Sequence, residues 1–142
     1  MRHLILPCLS VCLLFTSCVK EKQIEEPIYE YKDVENLTIE WKNIFHIERD
    51  DYYAYVYSET CGHCREIKQT VISKALETEN IFFIQFTKDI PIINDRDAVI
   101  GKSDFESIGI IGTPTLFRIQ NHVISEHYVG SHDILETLTN LS

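Results

Sequence analysis

Two cysteines separated by two residues, Cys61 and Cys64, stand between an apolar segment and an amphipathic one. Residues 52–57 are rich in aromatic and β-branched side chains, which predicts a buried strand. From Arg65 onward apolar residues recur at helical spacing, which predicts a helix of roughly four turns. A C-x-x-C pair at such a strand-to-helix junction is typical of a thiol–disulfide site. The pair therefore favours a fold in which a strand is followed immediately by a helix, with the cysteines at the junction.

The remaining segments complete an α/β pattern. Within 37–47 the spacing of Trp41, Ile44 and Phe45 predicts a helix, which a short strand at 37–39 would precede. The later elements are a strand at 81–86, a short helix at 103–108 capped by Ser103, a hairpin of 115–119 with 123–129, and a final helix capped by Ser131. A strand–helix–strand crossover makes a parallel pair, and the late hairpin adds antiparallel strands. The sequence predicts a mixed sheet of four to five strands with helices on both faces.

The spacing of the cysteines suggests a division of roles. The thiolate form of a cysteine is the form that attacks a disulfide. We expect Thr60 to cap the helix and Cys61 to be its first residue, where free N–H groups and the helix dipole favour a negative sulfur. Gly62 adds no bulk beside that sulfur. Cys64, one turn later on the same face, is within reach of Cys61, so we predict Cys61 as the attacking thiol and Cys64 as the resolving thiol.

Ionisable residues near the two cysteines are candidates for supporting roles in the thiol chemistry. His63, between the cysteines, would favour the reduced thiolate form and so make the oxidised pair a stronger oxidant. The alternative is a solvent-facing histidine without a role. Glu59 and Glu66 are candidates for proton transfer, although glutamates in a loop or on a polar helix face are more often solvated.

Other uses of a C-x-x-C pair fit less well. Structural zinc needs a second pair of ligands, and the chain has no second cysteine pair after residue 18 and no histidines at ligand spacing. Covalent haem attachment needs a histidine after the second cysteine, where this chain has Arg65. A purely structural disulfide stays as an alternative. We therefore predict neither a metal nor an organic cofactor.

The other three cysteines (Cys8, Cys12 and Cys18) lie in a segment typical of export signals. A charged start is followed by an apolar stretch at 4–15 that is short and interrupted for a membrane span. Thr16-Ser17-Cys18 resembles the lipobox of bacterial lipoproteins, although Phe15 stands where leucine is usual. The resemblance implies lipidation of Cys18 and a membrane anchor. A plain cleavage site and an uncleaved anchor helix are the alternatives.

Length, composition and charge predict the domain organisation and exclude one class of partner. We predict a signal peptide at 1–18, a charged flexible linker at 19–35 and one domain at 36–142, since 142 residues suit a single domain. The net charge is −9 and the chain has no basic run, which argues against a nucleic-acid partner.

Two motifs together resemble the thioredoxin superfamily. Cys61-Gly62-His63-Cys64 is similar to the active-site sequence of protein disulfide isomerase domains, and residues 111–117 resemble the family segment that carries a cis-proline. The resemblance implies a thioredoxin-like fold in which Pro114 is the cis-proline facing the cysteines and the backbone of Thr113 meets the substrate chain. Gly130 resembles the glycine after the family's last strand. With its leader, the chain also looks like small thioredoxin-like envelope lipoproteins, including bacteriocin transport accessory proteins.

The chain departs from the family at two positions. Thr60 replaces the tryptophan that usually precedes the first cysteine, and Tyr55 stands where thioredoxins carry a buried carboxylate, six residues before that cysteine. In the family that carboxylate assists proton transfer from the second cysteine. The departure argues against a fast reductase of the thioredoxin kind.

These observations predict an exported, lipid-anchored thiol–disulfide oxidoreductase on the extracytoplasmic face of a bacterial membrane. Its partners would be protein thiols or disulfides and a redox partner, and Cys61 and Cys64 would form its redox disulfide. The direction of electron flow stays open, although His63 and an oxidising compartment favour oxidase or isomerase work. The alternative is an accessory or binding module of a secretion or bacteriocin-export system, with partner contacts at 91–93 and 108–111.

Overall fold

A computed structural model describes residues 25–141 of the chain. The predicted signal peptide and Cys18 lie outside the described residues. Within this range no helix is both long enough and apolar enough to cross a membrane.

The described part of the chain folds around one mixed sheet. Its main elements are β1 (Asp51–Tyr57), α1 (Gly62–Thr78), β2 (Ile81–Gln85), β3 (Thr115–Gln120), β4 (Val123–Val129) and α2 (Ser131–Thr139). The strand order is β2-β1-β3-β4, with β1 and β2 parallel and the other neighbours antiparallel. A four-stranded mixed sheet flanked by helices confirms the predicted fold class.

Strand β1 lies at the centre of the sheet and is buried along nearly its whole length. Tyr55 pairs with Phe83 of β2 on one side and with Leu116 of β3 on the other. Successive side chains of a strand point to opposite faces, so a centrally placed strand needs apolar residues at every position. This explains the uninterrupted apolar run that precedes the cysteines.

The two faces of the sheet are covered differently. Helices α1 and α2 pack against each other on the face of Tyr55. On the opposite face the Tyr52 hydroxyl donates to the Ile44 carbonyl at 2.8 Å, and the Trp41 ring lies 6.2 Å from that of Phe117. Irregular chain and short 3₁₀ helices therefore cover this second face.

The helix predicted from the spacing of Trp41, Ile44 and Phe45 is wrong, whereas the short strand predicted at 37–39 is present as a single bridge. The chain instead forms 3₁₀ helices at Tyr31–Leu37 and Trp41–Asn43, and between them Thr38 makes a parallel bridge to Phe83. β-Branched residues such as Thr38 and Ile39 disfavour a helix, and the Ile39 N–H instead donates to the Phe83 carbonyl at 2.8 Å. A hydrogen bond to the sheet replaces the helical one.

Two predicted caps also differ. The short helix near 103–108 is a 3₁₀ turn at Phe105–Ser107, and Asp104 rather than Ser103 accepts the N–H of Glu106, at 3.1 Å. The last helix begins at Ser131, with Gly130 as its N-cap at φ 89°. This left-handed conformation suits glycine.

The end of the predicted linker lies on α1. The main-chain N–H and C=O of Tyr29 bond to the side-chain amide of Gln69 at 2.7 and 2.8 Å, and Glu30 pairs with Lys68 at 2.7 Å. The ring of Tyr31 stacks on Tyr57 with centroids 3.8 Å apart. We call residues 29–31 the N-terminal strap. The part of the chain that packs against the domain thus begins at residue 29, several residues before the predicted boundary at 36.

Candidate active site

Cys61 itself is the N-cap of α1, so the predicted cap at Thr60 is wrong. The Thr60 hydroxyl lies 3.0 Å from that of Ser58, while the backbone N–H of Cys64 donates to Cys61 Sγ at 3.3 Å. An N-cap accepts a hydrogen bond from the free N–H groups of the first turn. The sulfur of Cys61 therefore lies at the positive end of the helix, in the position of the capping oxygen.

The loop before β3 brings Thr113 to the same sulfur. Cys61 Sγ donates to the Thr113 carbonyl at 3.2 Å, and the Thr113–Pro114 peptide bond is cis, as the resemblance implies. Pro114 is buried, and its carbonyl accepts the N–H of Gly130 at 3.0 Å. The two motifs that carry the resemblance meet at Cys61.

The two thiols differ in acidity. Burial opposes ionisation of Cys61, but hydrogen-bond donors around the sulfur outweigh it. These donors are the Cys64 thiol, the Thr113 side chain and the N–H groups of Cys64 and His63, and they hold the pKa of Cys61 below its ordinary value. Cys64 is fully buried, and burial raises its pKa to about 11. Cys61 is the thiol suited to attack, and Cys64 is protonated at neutral pH.

Of the other predicted site residues, His63 approaches the Cys61 sulfur through its backbone N–H and not through its side chain. The His63 Nδ1 atom is 3.1 Å from Glu66 Oε2, and both side chains are exposed. A Cβ placed on Gly62 would meet no atom within 4 Å, so the fold does not require glycine there. Glu59 affects Tyr57 rather than either cysteine, since its charge adds to burial in raising the pKa of Tyr57.

Two phenol groups belong to the same packed core as Cys64, Tyr55 within it and Tyr31 against it. Tyr55 is fully buried, and the hydroxyl oxygens of Tyr55 and Tyr31 are both buried without a hydrogen-bond partner among the described residues. Burial raises the pKa of both phenols, and negative charge on Cys64 raises the pKa of each further. Tyr31 is not among the residues predicted from the sequence. Its signal was the pair of aromatic residues, Tyr29 and Tyr31, in a segment otherwise charged like a linker.

The two apolar segments predicted as partner contacts, 91–93 and 108–111, are hydrogen-bonded to each other through their backbones. The Ile93 N–H donates to the Ile110 carbonyl, and the Ile110 N–H donates to the Pro91 carbonyl, both at 2.9 Å. Gly109 permits this approach, because a Cβ there would lie 2.5 Å from the Pro91 oxygen. Of these segments, Ile92 and Ile111 keep exposed side chains. Ile111 is two residues from Thr113.

Within residues 25–141 no group of three or more histidine, cysteine, aspartate or glutamate side chains is arranged to hold a metal ion. Cys61 and Cys64 are both free thiols. The site is therefore described by its own sulfurs and the groups around them.

No family model matches the chain, and no curated protein matches it. Solved structures that resemble it include thioredoxin f from spinach chloroplast, at 13% identity and a TM-score of 0.49, covering 80% of this chain and 96% of that one. Mitochondrial thioredoxin 3 from Saccharomyces cerevisiae is 12% identical, with a TM-score of 0.48 and coverage of 73% and 93%. Thioredoxin from Aeropyrum pernix is 20% identical, with a TM-score of 0.45 and coverage of 70% and 76%. The thioredoxin-like assignment follows from the strand order and from the meeting of the two motifs described above.

Proposed function

We propose that this chain is an exported, membrane-tethered thiol–disulfide oxidoreductase that acts on protein thiols or disulfides. The observation that carries the proposal is the position of Cys61, which caps α1, is followed one turn later by Cys64 and is bonded to Thr113 before the cis-proline. A nucleophile, a resolving thiol and a backbone group from a distant loop therefore meet at one sulfur. Export and tethering are supported by the leader and Cys18 alone.

The reaction needs two exchanges at sulfur. In the reducing direction the Cys61 thiolate attacks a substrate disulfide, one substrate sulfur leaves as a thiolate, and a mixed disulfide forms. Cys64 then attacks Cys61 Sγ, the Cys61–substrate bond breaks, and the second substrate sulfur leaves with the proton that Cys64 lost. Two electrons have moved from the dithiol to the substrate. In the oxidising direction the same steps run backwards, and a substrate thiolate attacks the Cys61–Cys64 disulfide.

The protein's own groups support each step. N–H groups at the helix start stabilise the Cys61 thiolate. The main chain around Thr113 and Pro114 lies beside the reacting sulfur and offers an extended substrate segment a place to bind. Because the donors around Cys61 favour the reduced form, we place the pair on the oxidising side of the thioredoxin couple.

Trapping of the mixed disulfide tests this proposal. In a Cys64→Ser variant, produced as the full-length chain in a bacterial envelope, Cys61 can form a mixed disulfide but cannot resolve it. We expect disulfide-linked complexes with several envelope proteins that disappear on reduction and that the Cys61→Ser/Cys64→Ser variant does not form. Normal performance of the cell's export function with the double variant, together with no trapped complexes, would instead support the accessory-module alternative.

A further inference from the structure

The segment 91–93 presents a free strand edge beside the loop that precedes β3. Ile92 forms a parallel bridge with Ile110. The Ile110 N–H donates to the Pro91 carbonyl and the Ile93 N–H donates to the Ile110 carbonyl, both at 2.9 Å. In such a pair the N–H and C=O of the middle residue, Ile92, point away from its partner. Neither group of Ile92 has a hydrogen-bond partner among residues 25–141, so both are available to another extended chain.

This edge is held firmly in place. Gly109 packs so closely against it that a Cβ would lie 2.5 Å from the Pro91 oxygen and 2.8 Å from Cγ2 of Ile93. Ile93 packs partly buried against the core, whereas the Ile92 side chain is 62% exposed. An edge that is already ordered loses little conformational entropy when a second chain pairs with it. The fold therefore keeps Ile92 at the surface on a main chain that is preorganised for pairing.

The edge lies within reach of a chain that is bonded to Cys61. The Thr113 carbonyl is 3.2 Å from Cys61 Sγ, and Thr113 comes three residues after Ile110. Three extended residues span about 11 Å and paired strands lie about 5 Å apart, so Ile92 is within roughly 22 Å of the sulfur. A substrate segment of about seven extended residues covers that distance. One substrate chain can therefore react at Cys61 and pair with Ile92.

Two exposed apolar side chains accompany the edge. Five large apolar side chains are exposed among the described residues, and two of them, Ile92 and Ile111, belong to the paired segments 91–93 and 108–111. Ile111 lies between Ile110 and Thr113 in the chain, on the way from the edge to the sulfur. An apolar side chain of a partner that contacts them leaves water together with them, which favours binding. The surface thus suits an extended, apolar segment of a protein.

We propose that the edge at 91–93 binds an extended segment of the substrate protein beside its reacting cysteine, by main-chain pairing with Ile92, and that Ile92 and Ile111 select an apolar side chain in that segment. This inference rests on the proposed function and names its substrate class, which is protein chains that are extended and apolar near the cysteine. The two isoleucines bind and position the substrate, and the exchange of sulfur bonds proceeds as described above.

Peptides that carry an activated disulfide measure this binding. Each peptide has a central cysteine bonded to thionitrobenzoate, with flanks long enough to reach from Cys61 to Ile92. Attack by Cys61 on the peptide sulfur forms a Cys61–peptide disulfide, breaks the bond to thionitrobenzoate and releases that coloured thiolate. One peptide has leucines in its flanks, a second has serines instead, and a third has the leucines on an N-methylated main chain that cannot donate hydrogen bonds. We expect the reduced full-length chain to react with the leucine peptide about tenfold faster than with either of the others.

Serine variants locate the preference. Ile92→Ser and Ile111→Ser should each slow the reaction with the leucine peptide about fivefold, through lost apolar contact, and should react normally with the small disulfide 5,5′-dithiobis(2-nitrobenzoate). Ile100→Ser is the matched control, because Ile100 is also an exposed isoleucine but the next residue, Gly101, is bonded to Ile124 at β4. It should behave as the parent chain does with every substrate.

Several results would overturn the inference. These are equal rates with the leucine and serine peptides, an equal loss in Ile92→Ser and Ile100→Ser, or a full rate with the N-methylated peptide. Slower reaction of Ile92→Ser with the small disulfide would also overturn it, since the side chain would then affect the thiol and not the binding of the substrate. The peptide reaction needs only a reactive Cys61, so it can succeed where the trapping experiment finds no substrates, and the two proposals fail independently.

Discussion

Cys61 Sγ lies 3.2 Å from the carbonyl oxygen of Thr113, a residue 52 positions later in the chain. The contact joins the start of α1 to the loop before β3, and the antiparallel pairing of β1 with β3 holds the two together. A substrate sulfur bonded to Cys61 would therefore lie beside the main chain of Thr113. Because of this contact, the site comprises the cysteine pair together with the loop before β3, and not only two cysteines on a helix.

Selective modification should distinguish the two thiols. At about pH 7 we expect iodoacetamide to alkylate Cys61 and to leave Cys64 unmodified, because donors lower the pKa of Cys61 while burial raises that of Cys64 to about 11. Mass spectrometry of peptides after timed labelling gives the ratio of the alkylation rates of Cys61 and Cys64. Alkylation of both cysteines at equal rates in the folded protein would show that their environments do not differ in this way.

The Glu66 carboxylate should oppose ionisation of Cys61, because it is a negative charge on the same helix one turn after the cysteines. In Glu66→Gln that charge is removed, together with its contact to His63 Nδ1. We expect the pH at which Cys61 reacts half-maximally to fall by a few tenths of a unit, a small effect because both side chains are exposed. Glu77→Gln is the matched control, since Glu77 pairs with Lys74 on the same helix. Equal shifts in both variants would mean that only net charge matters.

Two glycines should differ sharply in their tolerance of alanine. Gly109→Ala places a Cβ 2.5 Å from the Pro91 oxygen, and we expect a loss of about 1–3 kcal/mol of unfolding free energy. Gly62→Ala meets nothing within 4 Å and should be close to neutral. Urea unfolding of the two variants makes the comparison. A neutral Gly109→Ala would show that the contact between segments 91–93 and 108–110 is loose.

Buried His127 should make stability depend on pH. Its Nδ1–H donates to the Arg96 carbonyl at 2.8 Å, its ring stacks on Phe117, and burial lowers its pKa below the ordinary 6.5. The unfolded chain then binds a proton near pH 6.5 that the folded chain does not. The unfolding free energy is therefore expected to fall as pH drops below about 6.5, by at most about 1.4 kcal/mol per pH unit.

Unfolding of His127→Gln between about pH 7 and about pH 5 provides the comparison. The glutamine does not titrate, so the slope of stability against pH should be shallower in the variant than in the parent chain. Identical slopes would assign the pH dependence to other groups.

The regular elements around the cysteines were predictable because their patterns are local. The apolar run of β1 and the helical spacing after Arg65 are each contained in one short segment. The N-cap of α1 was not predictable in this way. The Thr60 hydroxyl lies against the Ser58 hydroxyl, and the N–H of Cys64 donates to the Cys61 sulfur instead. Propensity alone does not register that competition.

The strap was missed for a different reason. Charged residues at 20–32 resemble a tether, and composition does not show that Gln69, 40 residues later, bonds both main-chain groups of Tyr29. The helix predicted from Trp41, Ile44 and Phe45 is only a short 3₁₀ turn, because the residues just before it, Thr38 and Ile39, are held at the edge of β2. In both cases a partner distant in sequence decides the local structure.

The central claim is that Cys61 and Cys64 exchange reversibly between dithiol and disulfide. Equilibration of the full-length chain with glutathione buffers of graded ratio, followed by mass spectrometry of the pair, gives its reduction potential directly. We predict a value between about −120 and about −180 mV, the range of thiol oxidants and isomerases. A value near about −270 mV would contradict the oxidising direction, and one below about −300 mV, typical of structural disulfides, would contradict the central claim.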